Sequence, residues 1–185
     1  PVPTEWVVVY GPAADISPMS YDIDKAGADS SVTQQEELRE YVKNNSYAET
    51  WFFIVQTRQG GLLFVTLSVT NLGMRTFDGA CDVRFFTASG DRYDAYAQYR
   101  RKDISGARDH LDLTIGPNRL VSNGRTYRLK INEEKLQLDM TMINVLPGFQ
   151  FGNGRVLFYR DRSAAWNIRF NAPRAATTGT ISKIF

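Results

Sequence analysis

Thr126 to Val145 reads TYRLKINEEKLQLDMTMINV. Tyr127, Leu129 and Ile131 alternate with Arg128 and Lys130, and then Leu136, Leu138, Met140 and Met142 alternate with Gln137, Asp139 and Thr141. Successive side chains of a strand point to opposite faces, so this period of two predicts two strands, each with one enclosed and one solvated face. The same pattern recurs on both sides of this stretch. Ala48–Thr57 and Leu62–Asn71 read as strands joined across Gly60-Gly61, and Ala80–Thr87 and Arg92–Tyr99 flank Ser89-Gly90-Asp91. His110–Ile115 precedes the Asn123-Gly124 turn, Arg155–Tyr159 follows Asn153-Gly154, and Ala165–Phe170 and Thr178–Phe185 complete the series. With Trp6–Tyr10 at the start, that is about ten strands at hairpin spacing, an antiparallel meander and not βαβ units. One helix is predicted, Thr33–Asn44, with Thr33 as N-cap, Glu36 closing a capping box and an apolar stripe of Leu38, Tyr41 and Val42.

A meander this long must hide its edges, and closure into an up-and-down barrel removes them. Hairpins that follow one another without a long crossover favour the barrel over its rival, a two-sheet sandwich. The expected fold is therefore all-β, an antiparallel lipocalin-like barrel of about 8–10 strands, wide enough to hold a small ligand. Residues 1–46 would supply the first strand, an excursion and the helix packed on the barrel; residues 47–185 would form it.

The 185 residues suit one domain. A single cysteine, Cys81, excludes an internal disulfide, and with a single histidine, His110, no Cys- or multi-His metal site is expected. No apolar run is long enough to span a membrane as a helix, and no signal peptide is visible in the sequence as given, which points toward the cytoplasm. Residues 1–50 carry 3 basic and 9 acidic side chains and the remainder 19 and 11. This asymmetry leaves peripheral contact with an anionic membrane open. The longest basic run, Arg100-Arg101-Lys102, is too short to argue for nucleic acid.

The inward faces decide function. If Trp51 points inward, so do Phe53 and Val55, leaving Phe52 and Ile54 outside in need of cover. On the next strand the face of Leu62, Phe64, Thr66 and Ser68 suits an apolar lumen with a few hydroxyls, the usual makeup of a small-molecule cavity. Met140 and Met142 add surface that adapts to varied apolar ligands. The expected ligand contacts are thus Trp51, Phe53, Phe64, Met140, Met142 and Trp166, with Arg169 as anchor for a polar headgroup. The same pattern also fits a barrel filled by its own side chains.

Catalytic arrangements are thin, and no catalytic residue, metal or cofactor is assigned. His110 neighbours Asp109 and Asp112, but adjacent strand positions face opposite ways. Ser122-Asn123-Gly124 and Gly152-Asn153-Gly154 read as turns. Asp82, Asp94 and Asp139 lie on strands and would serve as acid or base only if inward.

Several blocks, in order, carry a resemblance. Tyr47-Ala48-Glu49-Thr50-Trp51-Phe52-Phe53 with Thr70-Asn71-Leu72-Gly73 resembles the opening hairpin of the fungal survival-factor lipocalin-like proteins. Thr126-Tyr127-Arg128-Leu129-Lys130 and Leu146-Pro147-Gly148-Phe149-Gln150-Phe151-Gly152-Asn153-Gly154 look like that family's Y-x-I-K strand and P-G-F-x-x-G-x-G turn. Phe158-Tyr159-Arg160-Asp161, Trp166, Arg169, Pro173-Arg174 and Gly179-Thr180-Ile181 look like its closing segment, although Phe170-Asn171-Ala172 stands where the family has a His and further aromatics. The resemblance implies the first barrel of a tandem pair, with a second barrel or a second copy covering the Phe52 face. It also implies carriage or sensing of a hydrophobic small molecule, such as a sphingolipid or an isoprenoid-like compound, in a stress-response setting. Distant relatives are hydratases and cyclases of polyenes, so an enzyme of that kind is the alternative; a structural module with a filled barrel is the third reading.

Overall fold

The computed structural model describes residues 30–31, 48–70, 78–107, 110–150, 155–158, 164–167 and 170–183. The expected Trp6–Tyr10 strand and Thr33–Asn44 helix lie outside the described residues. The strands are β1 (Ser30–Ser31), β2 (Ala48–Gln56), β3 (Leu62–Thr70), β4 (Asp78–Phe86), β5 (Arg92–Tyr99), β6 (Ile104–Gly106) and β7 (Leu111–Ile115). They continue with β8 (Asn118–Ser122), β9 (Thr126–Asn132), β10 (Leu136–Asn144), β11 (Phe149–Gln150), β12 (Arg155–Phe158), β13 (Ala164–Asn167) and β14 (Ala175–Lys183). Every described pairing is antiparallel. The all-β antiparallel class expected from the alternation is the class observed.

The ladders form two principal sheets, a four-stranded one in the order β2-β3-β4-β5 and a six-stranded one in the order β14-β10-β9-β8-β7-β6. No described ladder joins them. No closed barrel is found among the described residues. Between β5 and β6 a single 3-10 turn at Arg101–Asp103 carries the chain from one sheet to the other, so hydrogen bonding does not continue around that corner. β2 and β14 end their respective ladders on the other side. β1 with β11 and β12 with β13 make two small additional pairs.

Each hairpin sets the register of the strands it joins. The turn at residues 57–61 closes through Thr57 N–H donating to the Gly61 carbonyl at 2.8 Å and Gly60 N–H donating back to Thr57 at 3.0 Å. The Thr57 hydroxyl also accepts from Gly61 N–H at 2.9 Å. The turn at 87–91 repeats the arrangement, with Thr87 and Asp91 in the corresponding places. The first turn pairs Trp51 with Leu67, Phe53 with Val65 and Val55 with Leu63. Paired residues share a face, so once Trp51, Phe53 and Val55 turn inward, Leu63, Val65 and Leu67 must follow.

This register corrects the expected lumen face of β3. Leu63, Val65, Leu67 and Val69 are the buried set, and Phe64 lies on the opposite face. There it packs 6.2 Å from Phe52 and 6.0 Å, edge-on, from Phe86. The wholly aliphatic face of β3 buries more apolar area per polar atom, while Thr66 and Ser68 keep their hydroxyls off the core.

The strand Asn118–Ser122 was not among the expected elements. Its five residues begin and end on polar side chains, Asn118 and Ser122, so the alternation had little to show. It follows β7 through Gly116-Pro117, with Ile115 facing Asn118 across a two-residue turn. Gly116 has φ +58°, and proline holds φ negative, a combination that fits the type II′ hairpin and its matching twist. A Cβ at Gly116 would also lie 2.1 Å from the ring of Tyr99, so the glycine is required for packing as well as for the turn.

The inner faces share one core. Trp51, Phe53, Val65, Leu67, Cys81 and Val83 from the smaller sheet meet Leu113, Ile115, Leu120, Leu129, Ile131, Leu138 and Met142 from the larger. The outer faces are charged where they are solvated. Arg84 pairs with Asp82 and Arg92 with Asp94, each at 2.7 Å, and Arg84 stands opposite Asp94 in the ladder. On the larger sheet Arg119 grips Asp112 with two hydrogen bonds of 3.0 and 2.8 Å, which hold that carboxyl below its ordinary range against the opposing effect of burial. Among the described residues no helix is long and apolar enough to cross a membrane.

Candidate functional site

Among the described residues, two places gather polar chemistry around a buried position. The first is an opening of about 340 Å³ between the terminal strands of the two sheets. One wall is the β2–β3 hairpin, with Val55, Leu63, Thr57, Arg58 and Gln59; the other is β10 and β14, with Met140, Thr177, Thr178, Gly179 and Ile181. Met140 faces Gly179 across the β10–β14 ladder. A Cβ on Gly179 would lie 2.2 Å from the Asp139 carbonyl and 3.0 Å from the Met140 side chain, so glycine lets β14 run close and leaves the wall bare. Two residues away on the same face, Thr177 is 6% exposed and its hydroxyl has no hydrogen-bond partner.

The second is a closed cluster where β5, the start of β8 and the β9–β10 turn meet. Glu133, 8% exposed, accepts from the Tyr99 hydroxyl at 2.7 and 2.9 Å and from Asn118 Nδ2 at 2.6 Å. Asn118, fully buried, also donates to the Ile115 carbonyl at 3.1 Å and accepts from Asn132 N–H at 2.9 Å. Burial first, and then the bond to Glu133, push the Tyr99 hydroxyl well above its ordinary pKa of 10.0. The buried Cys81 thiol is likewise pushed far up, chiefly by burial and further by Glu133 and Asp82. Such a thiol is a poor nucleophile. The cluster satisfies its own polar atoms and fastens the two sheets at their shared corner, so its role is structural.

The expected ligand residues separate on this geometry. Met140 lines the opening. Trp51, Phe53 and Met142 are buried in the core between the sheets and do not border it. Phe64 lies on the outer aromatic face, as described above. Trp166 stands on β13 opposite Val156, with its side chain outside the described residues, as is Arg169. Asp82 and Asp94 are engaged by arginines on the outer face, Asp139 is exposed, and His110 sits in the bend before β7. Val55 and Leu63 were within reach of sequence reasoning, since Val55 shares the parity of Trp51 and the turn fixes its partner. Thr177 and Gly179 carry no such signal, because neither a threonine nor a glycine marks one face of a strand as enclosed.

Compared with known proteins, the chain matches no family model, no curated protein and no solved structure. What the fold and the opening define is a class: a two-sheet antiparallel β protein with a cleft at its unpaired seam. Among the described residues no group of three or more potential metal ligands is found.

Proposed function

We propose that the protein binds a small apolar molecule in the seam between β2 and β14, as a carrier or sensor in the manner of lipocalin-like proteins. The observation that carries this reading is the opening of about 340 Å³ walled by Val55, Leu63, Met140 and Ile181. That volume lies at the small end of the range for ligand sites, roughly 300–1,000 Å³. An opening of that size suits a small molecule, and a ceramide or carotenoid would fit only in part. A polyene hydratase or cyclase needs an acid beside the substrate. The described lining supplies threonine hydroxyls, Arg58 and Gln59 but no carboxyl group, which is why binding is preferred over catalysis.

The test is saturable binding of an apolar naphthylamine fluorophore. Wild-type protein should bind it, and Met140→Arg should abolish uptake. Ile181→Glu, at a half-buried rim position where folding is less at risk, should weaken it at least tenfold. Unchanged affinity in both variants would overturn the proposal.

A second reading rests on the outer face of the smaller sheet, where Phe52, Phe64 and Phe86 cluster. On that reading the protein is an interaction module docking this face on a second domain or copy. Phe64→Ser would then change the oligomeric state and leave fluorophore binding alone.

A further inference from the structure

The far end of β10 sets an apolar bend among basic residues. Ile143 is 44%, Val145 50% and Leu146 47% exposed, and Pro147 after them is exposed as well. Exposed apolar residues scattered singly are ordinary, but three within four positions form a contiguous group. The neighbouring strands fix their backbone. Asn144 N–H donates to the Arg125 carbonyl at 2.8 Å and Val145 N–H to the Arg174 carbonyl at 3.0 Å, so an arginine stands on each side of the bend. Ile143 pairs with Thr126, and Arg128, two residues further along β9, shares that outer face opposite Thr141. Arg125 and Arg128 are both exposed, and neither takes part in an ion pair among the described residues. Residues 118–132, 140–150 and 170–178, the strands and turns around the bend, carry five basic side chains and no acidic one. Asp112, on β7, is already taken by Arg119. Glu133 and Glu134 lie in the turn at the opposite end of β10.

From this we infer that the bend is a peripheral contact with an anionic membrane surface. Ile143, Val145 and Leu146 enter the boundary between headgroups and acyl chains, while Arg125 and Arg128 pair with anionic headgroups. A bilayer accepts aliphatic side chains without a shaped pocket, and basic residues beside them add attraction to an anionic leaflet. A protein partner fits less well, because the centres of such interfaces favour aromatic anchors seated in pockets. Here the exposed group is aliphatic and lies on a bend. The contact stands independently of the seam, whose described lining does not include these residues.

Vesicle sedimentation of the full chain tests this. Wild type should bind vesicles of equal parts phosphatidylcholine and phosphatidylserine, lose that binding as salt rises, and ignore vesicles of phosphatidylcholine alone. Arg125→Gln and Arg128→Gln should each weaken the partition about fivefold. The pair Val145→Ser with Leu146→Ser should weaken it about tenfold, and since all these positions are exposed, the melting curves should stay unchanged. A polarity-sensitive thiol label locates the contact, because Cys81 is buried and spared. On Leu146→Cys its emission should shift to the blue with anionic vesicles; on Glu134→Cys, at the opposite end of β10, it should not. No binding to the anionic vesicles, or an equal shift at both labels, would overturn the inference. So would binding that falls with the arginine changes and ignores the serine pair, which would mark the surface as one for an acidic protein.

Discussion

Tyr99 and Glu133, 34 positions apart in the chain, meet at 2.7 Å. A hydrogen bond to a buried carboxylate is worth more than one at the surface, and removing the Tyr99 hydroxyl leaves Glu133 with the Asn118 amide in place of two donors. Tyr99→Phe should therefore destabilise the fold by about 1–3 kcal/mol, read as a lower urea midpoint at neutral pH. The pH dependence has a definite sign. Because folding raises the Tyr99 pKa above its unfolded value of 10.0, its contribution is complete below that pH and is lost as pH rises beyond it. The stability gap between wild type and Tyr99→Phe should narrow when urea titrations are repeated above pH 10; a constant gap would contradict the assignment. Cys81, buried in the core with a raised thiol pKa, should resist a disulfide reagent in the folded protein and react fully in denaturant. Thr177→Val should raise the stability of the empty protein by about 1 kcal/mol, since it removes an unpaired buried hydroxyl. That gain appears as a melting point higher by roughly 2–4 °C.

At the scale of the elements, the seam depends on how closely β14 approaches β10. A methyl group at position 179 has no space between the Asp139 carbonyl and Met140, so Gly179→Ala must push the strands apart or fill the opening. The expected cost is about 1–3 kcal/mol, as for other overpacked sites, together with weaker fluorophore binding; an unchanged melting curve would show that β14 yields easily. The strands themselves were legible wherever alternation ran for five or more residues. β5 matched its expected bounds, and β2 ended one residue short of its own. β8 is not legible in the alternation because its signal resides in Gly116-Pro117 rather than in its side chains. The orientation of β3 is not legible for a related reason: both its faces are rich in apolar residues, so the pattern alone does not choose. The choice is made by the hairpin, whose register ties Leu63 to Val55.

At the scale of the whole molecule, the sequence carried the class of fold but not its closure. Alternation states which side chains are enclosed and is silent on whether the last strand bonds to the first, because that bond is made by backbone atoms common to every residue. The difference decides where a ligand could go. Trp51, Phe53 and Met142, the large side chains expected around a lumen, instead fill the space between two layers. Phe53→Ala should accordingly behave as a core truncation, costing about 3–5 kcal/mol in chemical denaturation, and it does not border the seam. Met140 alone of the described expected set belongs to both core and opening, because its strand runs to the margin where the layers part.

That margin has a mechanical consequence. Along the line from Val55 to Ile181 no described backbone ladder crosses, so among the described residues the two walls meet through side chains. Prising them apart by a few ångströms would break no peptide hydrogen bond within either layer. Passage of a guest would resemble the parting of two brushes more than the tearing of a fabric, with each wall keeping its shape while the bristles yield.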